Sequence, residues 1–191
     1  TFFYPLLTGT FTAHPLVYIH GALLFGWVAF FFTQARFVHG KKLRLHKKMG
    51  WAGGGLAVGV VLSTVAIAIL ASRRTAATGE LAQANSELFV IMIEMLMFSA
   101  LVAFAVVLRK RPETHKRLML LALIGSLGPA WFRFRHYFPE VDNPIFFYSV
   151  LLADSLIVVA AISDLIRNGK VHWVYPTVGG GMVMVHLIEV F

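Results

Sequence analysis

Residues 34–55 read QARFVHGKKLRLHKKMGWAGGG, and the fold is decided here. An apolar stretch gives out at Arg36, five more cations follow by Lys48, and a glycine-rich apolar stretch begins at once. Two later junctions have the same make-up: RKRPETHKRLM at 109–119 and IRNGKVHWVY at 166–175. Each places a histidine where the next apolar segment starts: His46, His115 and His172. Lys and Arg collect at the cytoplasmic surface of a bilayer, so these junctions read as the inner corners of three membrane hairpins.

Working outward, a spanning helix takes about 20 mostly apolar residues, and six segments qualify: 15–38, 48–72, 86–109, 115–135, 145–167 and 171–190. The expected fold is all-α: a polytopic membrane helical bundle of six transmembrane helices arranged as three hairpins. Short polar connections leave no room for a second domain, so residues 1–191 are expected to form a single transmembrane helical domain. The chain opens on Thr1, and TFFYPLLTGTF reads as the tail of an upstream helix.

With 58% hydrophobic residues and a mean hydropathy of +0.75, the chain is too apolar for a soluble domain of 191 residues. Its formal charge of +8 is then an orientation signal for a lipid bilayer, not a nucleic-acid footprint. Counted by side, the excess of Lys and Arg makes the three junctions cytoplasmic and both termini periplasmic, in a bacterial inner membrane. WFRFRHYFPEVDNPIFFY at 131–148 is the outer aromatic belt and loop. The absence of cysteine removes disulfides, thiolate ligands, iron–sulfur clusters and covalently attached haem.

Ionisable side chains at depth in a bilayer are costly, and their default reading is functional. Measured from the inner ends of their segments, His20, Glu94, Asp154 and His186 come out at a similar height, about 20 Å above the cytoplasmic interface. Arg133 reaches toward them, and Ser63 and Thr64 lie slightly deeper. Two histidines and two carboxylates in one layer suit Zn, Fe or Cu, or a haem. The bland alternative satisfies each group separately: Glu94 against Arg133, Asp154 against a neighbouring helix. Gln34, His46, His115, Asp164 and His172 make a second, inner layer, which reads as a histidine-rich metal site or as interfacial residues among headgroups.

Spacing links the layers. His172 and His186 are 14 positions apart, as are His20 and Gln34, which leaves each pair about 40° apart on one helix face. Histidines about 21 Å apart along a helix suit two stacked haems. On that reading haem b sits between His20 and His186 outside, and between His172 and His46 or His115 inside. Gly53, Gly54, Gly55, Gly59 and Gly179–Gly181 would leave room for a porphyrin, though glycines equally serve helix packing. Arg133, Arg135 and the inner cations are candidates for the propionates.

His20-Gly21, Trp27, Gln34, LRLHKKMGW, RPETHKRLMLLALIG and DLIRNGKVH resemble a group of uncharacterised bacterial multi-pass membrane proteins, over most of the chain from His20 to His172. The resemblance implies the helical membrane fold and the bacterial inner membrane, and no activity. The helix count and the histidines near both faces are also similar to transmembrane di-haem cytochrome b reductases. Three functions are therefore expected in turn. The first is electron transfer through a His-ligated haem or metal, with quinone or membrane redox proteins as partners. The second is a metal-dependent membrane oxidoreductase or other enzyme acting on a lipid, with Glu94 and Asp154 as catalytic candidates. The third is a non-catalytic subunit of a larger membrane complex, with transport a remoter fourth.

Overall fold

A computed structural model describes residues 14–190, and the expected upstream helix tail falls outside them. The described residues are all-helical, with no strand among them. Among them four helices are long and apolar enough to cross a membrane: α1 (Pro15–His39), α2 (Leu43–Ala77), α3 (Leu81–Val107) and the continuous helix over Ile145–Asn168. In hydrocarbon every backbone N–H and C=O must be satisfied within its own segment, which favours helices for sequences of this kind. The contacts divide the chain into two compact units that meet within α3, one up to Ser99 and one from Ala100.

In the first unit α1 and α2 form a tight hairpin. Pro15 occupies the first turn of α1, where a missing N–H costs nothing, and His14 caps that turn through Nδ1 to the Leu16 amide at 3.3 Å. The turn between the helices uses Lys41 at φ 58°, with the Lys42 amide returning to Phe37 O at 2.8 Å. Glycine lets the two helices close together: a Cβ at Gly53 would enter the Phe30 ring, and one at Gly59 would lie 3.2 Å from Leu23 Cδ2. Gly26 receives Leu56 in the same way, 3.6 Å from its would-be Cβ. Contacts thus step up α1 as they step down α2, in one antiparallel register. Trp27, 1% exposed, is held edge-on by Phe98 of α3 at 5.1 Å, and Ser72 Oγ donates to Ala84 O at 3.1 Å.

The second unit is built around α4 (Pro112–Gly125), which buries Thr114, Arg117, Leu118 and the whole Leu121–Ile124 run. The span expected over 115–135 is interrupted. α4 stops at Gly125, α5 occupies only Gly128–Phe132, and a single 3-10 turn comes next over Arg133–His136. Pro129 explains the break, since it offers no N–H to the carbonyl of Gly125, one turn back, and its ring crowds that carbonyl. After the loop that follows this turn, a π-helical stretch (Ile145–Leu152) runs into α6 (Ala153–Asn168), which ends on Gly169 at φ 69°, in the left-handed region that glycine occupies without strain. The last helix begins at Val174, three residues later than expected. It passes through a π turn (Tyr175–Gly179) into α7 (Gly180–Val190). Gly179 admits Ile157 of α6, whose Cγ2 would lie 2.8 Å from an added Cβ.

Candidate functional site

Asp154 opens α6 directly after its π turn, and His186 lies on α7 beyond a π turn of its own. The two are brought together: His186 Nδ1 lies 3.0 Å from Asp154 Oδ1 and 2.9 Å from Oδ2, with both side chains buried. A carboxylate accepts, so Nδ1 carries a proton, and in the neutral ring the lone pair is on Nε2. That is the tautomer a metal-ligating histidine takes, its other ring nitrogen donating to a carboxylate that fixes the ring and raises its basicity. π turns recur at functional sites because one extra residue in a turn rotates the downstream side chains to a new face. Here both members of the pair lie downstream of one.

His20 is fixed by the same logic in the first unit. The register that matches Leu23 to Gly59 brings His20 to Ser63, Nδ1 to Oγ at 3.2 Å. Ser63 has one hydroxyl proton; where Val60 O takes it, at 3.0 Å, the hydroxyl oxygen accepts from His20 Nδ1 and a neutral ring has its lone pair on Nε2. His115, in the second unit, gives the third instance: its Nδ1 lies 2.8 Å from Ala105 O, and a carbonyl oxygen can only accept.

His172 differs. It precedes the last helix, so no helix face joins it to His186. Its Nδ1 accepts from the Val174 amide at 3.3 Å, its carbonyl accepts from the Tyr175 amide at 3.1 Å, and its own amide donates to Asp164 Oδ2 at 2.9 Å. It is a helix cap with its proton on Nε2. Burial, and next the nearby Arg117 guanidinium, lowers its pKa below the usual imidazole value of 6.5, which keeps Nδ1 free of a proton and able to accept.

Asp164 and His172 belong to a buried ionic cluster, not to a layer of histidines. Arg117, 3% exposed, donates Nε to Asp164 Oδ2 at 3.2 Å, Nη2 to Asp164 Oδ1, and Nη1 to Glu113 Oε2 at 2.7 Å. Asn168 Nδ2 adds a further donor to Asp164 Oδ1 at 2.7 Å. By composition alone Arg117 is one more cytoplasmic anchor in a basic junction. Its distinguishing signal lies in Glu113 one turn before it and in Thr114, Leu118 and Leu121, the buried stripe on which it falls. Nη1 also donates to Glu113 O at 2.7 Å, so four of the five guanidinium N–H groups are engaged and the cluster joins α4 to the end of α6.

The other expected residues are spread over both units. Glu94 is half-buried on α3 in the first unit, and His46 is half-buried in the first turn of α2. Arg133 is exposed in the 3-10 turn over Arg133–His136 and donates Nη1 to Pro129 O at 2.9 Å; Arg135 lies over the Phe132 ring at 3.8 Å. On α1, His20, Trp27 and Gln34 recur every seven residues and share a face. The buried Gln34 amide atoms and Trp27 Nε1 have no hydrogen-bond partner among the described residues. Among those residues no three His, Asp or Glu side chains gather as a metal cluster would need.

No family model matches the chain, and no curated protein or solved structure matches it.

Proposed function

We propose that the protein is an integral membrane electron carrier that binds haem b through histidine Nε2. The observation that carries this reading is the buried Asp154–His186 pair, in which the carboxylate holds Nδ1–H, the arrangement in which a neutral imidazole would offer Nε2 to an iron. It also gives Asp154 a role that a plain haem ligand set does not require. A carboxylate behind the imidazole would make it a stronger donor to a bound haem iron and so lower that group's reduction potential.

Haem is favoured over a catalytic Zn, Fe or Cu site by the number of ligands. A catalytic zinc takes three protein ligands, whereas a porphyrin supplies four nitrogens itself and needs one or two from the chain. His20, backed by Ser63, and His115, backed by the Ala105 carbonyl, are the further residues that would hold such a group, each within its own unit. Arg133, exposed, and Arg135, half-buried beside it, are suited to propionates. Quinone and other membrane redox proteins are the partners such a carrier would exchange electrons with.

The finer topology belongs to the same proposal. Six crossings form three hairpins in a bacterial inner membrane, with both ends outside. The basic turns at 40–42, 108–111 and 169–173 face the cytoplasm. The break at Ser126–Leu127 and the late start at Val174 are compatible with crossings, because 112–132 and 174–190 span about 30 and 25 Å at helical rise.

The test is haem retention in purified variants. His186→Ala is expected to lose haem and Asp154→Ala to bind it roughly 10–100-fold more weakly. His172→Ala should keep it, being a cap. Haem content unchanged in the first two variants would contradict the assignment.

A further inference from the structure

The buried face of α2 is occupied by α1, and its opposite face carries an ordered sequence of chemistry that the electron-transfer reading leaves unused. Arg44, Lys47, Lys48, Trp51, Gly55, Val58 and Leu62 follow the helical three-and-four spacing, so all lie within one narrow stripe. All seven are exposed: Trp51 to 82%, Val58 to 58% and Leu62 to 65%. Gly55 is a notch in the stripe, with nothing within 4 Å of where a Cβ would stand.

From Arg44 to Lys48 the stripe is cationic, and no acidic residue lies in the first turn of α2 to offset it. Cations at a helix N-terminus oppose the helix dipole, so the local charge calls for an anion. Trp51 comes next, an apolar ring with a donor N–H, of the kind enriched at headgroup level. From Trp51 to Leu62 the stripe is apolar for about 16 Å, close to the roughly 15 Å of one leaflet's hydrocarbon.

We propose that this face of α2 is a binding site for one anionic phospholipid. The phosphate lies against Arg44, Lys47 and Lys48, the glycerol ester region lies at the Trp51 indole, and an acyl chain lies in the Gly55 notch along Val58 and Leu62. The inference rests on the reading that α2 crosses a membrane with its basic end at a headgroup layer. Charge complementarity selects the occupant: a zwitterionic lipid carries its own cation into a site that already holds three, and a protein helix would have to bring both an acidic end and a fitting apolar face.

The test uses the full chain purified in neutral detergent and phosphatidylglycerol with brominated acyl chains, which quench a tryptophan they touch. Quenching should saturate at a concentration at least about tenfold lower than with brominated phosphatidylcholine, and Trp51→Phe should remove most of it. Lys47→Ala with Lys48→Ala should raise the midpoint about 25-fold, roughly fivefold for each cation. Gly55→Leu should weaken quenching by filling the notch. Equal midpoints for the two lipids, or a midpoint unmoved in the double variant, would overturn the proposal. So would full competition by millimolar inorganic phosphate, which would make this a free-anion site. The wild-type comparison of the two lipids stands even where a variant does not fold. Failure of the membrane reading would show separately, as a chain recovered without detergent from the soluble fraction.

Discussion

At the scale of single residues, two buried ionic arrangements in the second unit have opposite characters. Asp164 accepts from Arg117, Asn168 and the His172 amide and closes the Arg117 cluster, whereas Asp154 holds one ring nitrogen of His186 and thereby, in the neutral ring, fixes the character of the other. Removing one partner of a buried pair leaves an uncompensated charge. Asp164→Ala is therefore expected to cost about 3–5 kcal/mol, read in chemical unfolding of the purified protein, and Arg117→Met added to it should recover most of that loss. A double variant as unstable as the single one would mean that Asp164 acts otherwise than by neutralising Arg117. The sequence alone marks Asp154 and His186 as polar residues at one depth in the bilayer. It cannot show that they touch, because that contact depends on two π turns, and π turns leave no periodic trace in a pattern of apolar residues. Ser63 is visible there only as a polar residue slightly deeper than His20, since the register joining them is set by which glycines α1 closes upon.

At the scale of elements, the loop at 169–173 is a capped joint. His172 fits it in its neutral form, which accepts the Val174 amide. A histidine whose folded pKa lies below its unfolded value binds fewer protons when folded, so the stability it supports is present above the unfolded value near 6.5 and is lost as pH falls through the folded one. Amide exchange at Val174 and Tyr175 should accordingly accelerate as the medium is acidified below about pH 6, and His172→Asn, which can still cap, should flatten that dependence. Exchange independent of pH in the wild type, after correction for intrinsic rates, would remove the cap from the account. The long apolar helices are legible in the sequence because α1, α2, α3 and the helix through α6 carry long hydrophobic runs between short polar turns. The interruption after Gly125 is signalled by Pro129 within an otherwise apolar run. Helix period also joins His172 to His186, and that inference fails because His172 precedes the helix it caps.

At the scale of the whole molecule, the absence of cysteine makes the proposed topology directly measurable by adding one cysteine at a time. A cysteine at Lys42, Lys110 or Lys170 should react with a membrane-impermeant thiol reagent only after the inner face is opened, and one at Glu80 or Glu140 should react in intact cells. Labelling of Lys42 and Glu80 positions from the same side would refute the first hairpin. The electron-carrier reading is tested most directly by an absorption spectrum of the purified wild-type chain, air-oxidised and then reduced with dithionite. The account predicts a Soret band and sharp reduced-minus-oxidised peaks of haem b. A colourless protein that stays colourless after reconstitution with haem would contradict it.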